Sequence, residues 1–240
     1  MRMREYSAVS YAMLIGGIFA LPAASADDPP PITKEFIATS MNNLKQIVLA
    51  FHSYSDANRS LPGDILDKNG KPLLSWRVAI LPYLDQAELH KQFKLNEPWD
   101  SANNKKLIEK MPKLYAPVRV KAKAGETFYQ TMTGEKTLYV DHKPVYTIGT
   151  IPDGTSNTGL VYEAGEPVIW SKPADMIFDE KKPVPKLGGL FDGECLVGMG
   201  DGYVRHLKKK PDEAQLKLMI MADDGMVIDF GKLDKPQGGS

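Results

Sequence analysis

The 240-residue chain has a single cysteine, Cys195. No internal disulfide can form, so the hydrophobic core has to hold the fold alone. The apolar context Glu194-Cys195-Leu196-Val197 suits a buried, inert thiol. Histidine is almost as scarce. His52, His90, His142 and His206 are the only four, and no two share a short spacing. That excludes a zinc motif and gives the cysteine no base beside it in sequence. Charge of one sign is also lacking, because 30 basic residues balance 30 acidic ones. Nothing therefore points to nucleic acid or to an anionic membrane surface as a partner. The run Lys208-Lys209-Lys210 is answered by Asp212 and Glu213 and reads as a solvated face. There is no Gly-x-Ser-x-Gly elbow, phosphate loop, EF-hand spacing or fixed-period repeat. Gly198-Met199-Gly200-Asp201-Gly202 is glycine-rich, but no helix pattern follows it, so it does not read as a phosphate cradle.

What is present begins with an address. Arg2 and Arg4 form a positive start, Tyr11 to Leu21 a short apolar run, and Ala24-Ser25-Ala26 a small-residue cleavage signal. The run is too short to span a bilayer comfortably. Residues 1–26 thus read as a signal peptide cleaved after Ala26, with no lipobox cysteine. The expected product is exported, periplasmic or at the cell surface, with no membrane span left after cleavage. Residues 27–32, Asp-Asp-Pro-Pro-Pro-Ile, read as a stiff tether. Residues 33–232 are expected to form one domain and 233–240 a disordered tail.

Thr33 to Asn58 is the longest helical pattern. Ile37, Met41, Leu44, Val48 and Phe51 recur at steps of four and three, and Ile47, Ala50 and Tyr54 widen the stripe. A turn follows at Asn69-Gly70. The apolar stretch Ser75 to Leu84 predicts a helix kinked or ended at Pro82. Asp85 to Phe93 and Ala102 to Lys110 predict two further helices, the second capped by Asp100 or Ser101. From residue 115 the composition shifts to Tyr, Thr and Val, a strand signal. Further strands are predicted at Gly159–Ala164, Pro167–Trp170, Glu194–Gly200, Tyr203–Leu207 and Met226–Phe230. A short helix is predicted over Asp212–Met221, and Ser171–Lys186, with three prolines, as an exposed loop. Helices first and hairpin-linked strands later predict an α+β fold, with the helices on one face of an antiparallel sheet.

The ordered motifs resemble a large planctomycete paralogous family of unknown function with a prepilin-like N-terminus. They are Asn42-Asn43-Leu44-Lys45-Gln46-Ile47, Leu61-Pro62, Leu74-Ser75-Trp76-Arg77-Val78, Leu81-Pro82-Tyr83-Leu84, Glu97-Pro98-Trp99-Asp100, Asp153-Gly154-Thr155-Ser156-Asn157-Thr158, Glu163-Ala164-Gly165-Glu166 and Asp201-Gly202-Tyr203-Val204-Arg205. The resemblance covers about residues 40 to 230. It implies a pilin-like fold, with one long N-terminal helix on an antiparallel sheet, and an exported or surface location. The family name carries a solute-binding label, and no catalytic residue carries over. Two features depart from it. The apolar membrane half of the helix is replaced by the leader and the proline tether. The family's C-terminal signature, a histidine followed after about nine residues by Asp-Gly, lacks its histidine: counting back from Asp201 reaches Phe191 or Leu190.

Oxygen-bearing candidates for a calcium ion are Asp153, Ser156, Asn157 and Asp201. Turn formation explains them more simply, since Asp, Asn and Ser bond their own backbone there. Trp76 with Arg77 reads as core plus a salt bridge to an acidic partner. The expected function is a non-enzymatic, exported interaction or structural module with a protein partner at the cell envelope and no cofactor. The alternative is a small-ligand binder with Trp99, Tyr146 and Trp170 lining its pocket. A hydrolase built on scattered acidic residues has the least support.

Overall fold

The computed structural model describes residues 28–236. The expected signal peptide and the last four residues lie outside the described residues. Helix α1 spans Lys34–Asn58. Thr33 caps its start by accepting the Phe36 amide, and Arg59 ends it in the left-handed region (φ 56°), its amide bonded to the Ser55 carbonyl. At 1.5 Å per residue the helix is about 37 Å long. Leu44, Ile47, Val48, Ala50 and Phe51 are buried on it as the stripe predicts, and so are two serines, Ser40 and Ser55. No helix among the described residues is long and apolar enough to cross a membrane.

After α1 the chain makes the hairpin β1 (Ile65–Leu66) and β2 (Pro72–Leu74), with Gly70 in its turn. Helix α2 (Trp76–Ala79) stops before Pro82, which opens a 3-10 turn at Leu81–Leu84. Helix α3 is reduced to Ala87–His90, and 3-10 turns replace the helix expected at 102–110. The strands are β3 (Glu126–Gln130), β4 (Met132–Thr133), β5 (Tyr139–Val140), β6 (Lys143–Pro144), β7 (Gly159–Ile169), β8 (Met176–Ile177), β9 (Cys195–Met199) and β10 (Val204–Leu207); α4 spans Glu213–Ile220. The main sheet runs β10-β9-β7-β3, antiparallel throughout. The fold is therefore α+β.

β9 shows why the sheet is central. Leu196 faces the large core under α1, while Cys195, Val197 and Met199 belong to a second apolar cluster with Leu216, Met219 and Ile220 of α4. Both faces are covered, so the helices are not confined to one face as expected, and every residue of β9 is buried. α1 crosses β9 closely. A Cβ built on Gly198 would lie 2.5 Å from Val48 Cγ2, so only glycine fits there without movement.

Several expectations are corrected. The two strands expected at Gly159–Ala164 and Pro167–Trp170 are one strand of 11 residues, Gly159–Ile169, with Trp170 just past its end. Pro167 is tolerated because it falls where the β3–β7 register shifts. The second sheet, β6-β5-β4-β8, contains parallel pairs. Its β8 and the buried Phe178 lie in the expected exposed loop. Met226–Phe230 forms no strand, because the segment is held by turns such as Met226 N–H to Asp224 Oδ1 (2.7 Å). Within the described residues the tail is docked at Leu233, Asp234 and Lys235. Leu233 is fully buried, the Lys235 amide bonds the His206 carbonyl, and Asp234 bonds Arg205 (2.7 Å). The tether is docked too, since Arg119 Nε donates to the Pro30 carbonyl (2.6 Å) while its guanidinium grips both oxygens of Asp192.

Candidate functional site

Polar groups converge where α2, the β5–β6 hairpin and the residue preceding β8 meet. Ser75 caps α2 and turns Arg77 inward, where its side chain is fully buried. A buried guanidinium needs its donors filled. Nε donates to the Tyr129 carbonyl (2.8 Å), Nη1 to Ser75 Oγ (2.6 Å) and Nη2 to Asp175 Oδ1 (2.9 Å). The group also stacks on Trp76, 4.6 Å from the ring centre. Asp175 Oδ1 collects two further donors, the Thr131 amide (2.8 Å) and the Trp76 indole (3.2 Å). The acidic partner expected for Arg77 is thus Asp175.

Asp64 lies beside this pair. Its Oδ1 accepts the Trp76 amide (2.8 Å), and its Oδ2 lies 2.7 Å from His142 Nδ1. The Asp64 side chain is 4% exposed and that of His142 38%, so the pair runs from the interior to solvent. Burial pushes the Asp64 carboxyl up to about 6, and the charge of Asp175 adds to this against the Trp76 amide, His142 and Arg77. His142 and Asp141 form the two-residue turn of β5–β6, and both have positive φ (67° and 47°). That turn type favours glycine and asparagine. Here the neighbouring segment holds it: the Asp64 amide bonds the His142 carbonyl (3.3 Å), and a Cβ on Gly63 would meet Pro144 Cδ at 2.6 Å. Tyr139 of β5 completes the wall, and the cavity between Asp64, Asp175 and Tyr139 offers about 10 Å³. That is space for one water molecule and for no organic substrate.

A second buried cluster joins α1 to the sheet. Glu163 of β7 is fully buried. Its Oε1 is bonded to Ser40 Oγ, its Oε2 accepts the Leu196 amide (2.9 Å), and Ser40 lies 2.7 Å from the Tyr129 hydroxyl. Burial raises the Glu163 carboxyl to about 8 against those two hydrogen bonds, so it is mostly protonated at neutral pH. Asn43 of α1 lines an open groove of about 810 Å³. Thr39, Gln46, Met111, Leu114 and Val118 share that groove, along the outer flank of α1.

The model of a family described as protein of unknown function (DUF1559), with the short name SBP_bac_10, matches residues 38–189. The chain belongs to this family. Asp64, Arg77, Tyr139, His142, Glu163 and Asp175 all fall inside the DUF1559 match, whereas β9, β10 and α4 lie beyond it. No curated protein and no solved structure matches the chain.

The aromatic residues predicted to line a ligand pocket do not form one site. Trp170 is fully buried between Phe93 and Tyr115, and its indole donates to the Ile108 carbonyl (3.0 Å). Trp99 rests against the core with Lys172 5.5 Å from its ring centre. The Tyr146 hydroxyl reaches Asp223 (3.2 Å). Of the calcium candidates, Asn157 and Asp201 bond within their own turns, as expected, and Asp153 bonds a distant segment. Asp153 accepts the amides of Asp224 (2.8 Å) and Gly225 (2.9 Å), Asn157 donates to the Asp153 carbonyl, and Asp201 accepts the Tyr203 amide. Among the described residues no three His, Cys, Asp or Glu side chains are grouped to hold a metal ion. Cys195 is buried, and its thiol is raised well above its ordinary range by burial and then by Glu163. The positions of the absent signature histidine, Leu190 and Phe191, are fully buried. Asp64 and Glu163 do not stand out as functional candidates in the sequence. The one signal is a glutamate inside the apolar run Gly-Leu-Val-Tyr-Glu-Ala.

Proposed function

We propose that this chain is an exported, non-enzymatic module of pilin-like design that docks against another protein at the cell envelope. The observation that carries the reading is the groove beside α1. It is about 810 Å³, open, and mixes amide and hydroxyl groups (Thr39, Asn43, Gln46) with apolar ones (Met111, Leu114, Val118). Such mixed, open surfaces suit protein contacts better than enclosure of a small molecule. The non-enzymatic part rests on two further features: the acid–histidine pair borders a cavity too small for a substrate, and the one thiol is closed off. The leader pattern and the planctomycete resemblance support export. Small-ligand binding keeps only the family's short name behind it.

The test uses the full chain with a photo-crosslinking residue at Gln46 and, as control, at Lys68 on the β1–β2 turn. A stoichiometric protein partner, captured from Gln46 and lost when Leu114→Glu is added, is the expected result. Native mass spectrometry that finds a stoichiometric metabolite and no protein would replace this reading with the solute-binding one.

A further inference from the structure

We propose that the cavity bounded by Asp64, Asp175 and Tyr139 is a binding site for one water molecule that joins the Tyr139 hydroxyl to the two carboxylates. Tyr139 is 3% exposed, and its hydroxyl is buried without a hydrogen-bond partner in the protein. A buried hydroxyl left in that condition has lost its water without gaining a partner, so the site is built for an acceptor. Asp64 and Asp175, with side chains 4% and 7% exposed, border the same space, and so do Thr131, Thr133 and His142. The volume, about 10 Å³, is at the lower limit for one water and below that for anything larger.

The choice between water and a cation follows from the donors. Tyr139 presents a proton and needs a lone pair, which water has and a metal ion lacks. A water that accepts from Tyr139 keeps two protons for the carboxylates. The positive charge that two buried carboxylates require is supplied on the Asp175 side by Arg77, 2.9 Å away, and His142 already occupies Asp64 Oδ2. No three acidic, histidine or cysteine groups among the described residues are placed for a metal. The water would thereby extend the buried Arg77–Asp175 network to the solvent-facing Asp64–His142 pair.

Oxygen-17 relaxation dispersion of water counts long-lived internal waters in the intact chain. The expected result is one fewer in Tyr139→Phe than in the natural protein, with a Tm lower by a few degrees. An unchanged count, or a Tm that rises because an unpaired hydroxyl was removed, would overturn the proposal. A crystal structure of the natural protein at high resolution decides the same question without a variant: one spherical peak about 2.6–3.2 Å from Tyr139 Oη supports it, and an empty cavity refutes it. Melting in millimolar calcium, magnesium or potassium chloride covers the cation. A Tm gain in the natural protein that is lost in Asp64→Asn would assign the site to an ion instead.

Discussion

Replacing Glu163 by glutamine should remove most of the pH dependence of stability above pH 5. Glu163 is fully buried, and its carboxyl is raised from an ordinary 4.5 to about 8. A carboxyl whose folded pKa lies above its unfolded value binds its proton more tightly in the folded protein. Its contribution is present in full below about pH 4.5 and is lost as the pH rises through about 8. The difference of about 3.5 pH units corresponds to about 5 kcal/mol at 1.36 kcal/mol per unit. That is a large share of the 5–15 kcal/mol typical of a domain. Glutamine keeps the shape and the bonding of the neutral acid: its carbonyl can accept the Leu196 amide and its NH₂ can donate to Ser40. Urea unfolding followed by tryptophan fluorescence at pH 5, 7 and 9 measures the effect. The natural protein should weaken steadily across that range, and Glu163→Gln should stay nearly level and be the more stable of the two at pH 9. An equal slope in both proteins would refute the argument, as would a variant weaker at pH 9.

Asp64→Asn should flatten the stability curve between about pH 3.8 and 6, where the natural protein loses about 3 kcal/mol by the same sign of linkage; acid titration of urea midpoints tests it. Arg77→Met leaves Asp175 buried without its counter-charge and should cost about 3–5 kcal/mol, and adding Asp175→Asn should recover part of that in a double-mutant cycle. Gly198→Ala forces a contact with Val48 and should cost about 1–3 kcal/mol, whereas in a Val48→Ala background the same change should cost less; chemical denaturation of the four proteins decides it.

The sequence by itself determined the long helix and its buried stripe, because helical periodicity is a local property of neighbouring residues. It also determined the order of helices before strands, the Asn69-Gly70 turn and the break at Pro82. The same reasoning covered β9 and β10, although it could not say that both faces of β9 would be covered. Which partners meet was beyond local reading. Arg77 finds Asp175, Ser40 finds Glu163 and Asp64 finds His142 across 98, 123 and 78 residues. Those distances are set by strand register and by the path of the chain over the sheet, not by any residue's own preference. Tertiary packing also overrode composition in three places. It drew Trp170 into the core and away from any ligand. It gave Asp153 to the amides of Asp224 and Gly225, 71 and 72 residues away, where a local turn was expected. It buried Leu233 where a free tail was expected, because an uncovered apolar surface on the β10 side of the sheet gains more from contact than a short polar segment gains from freedom.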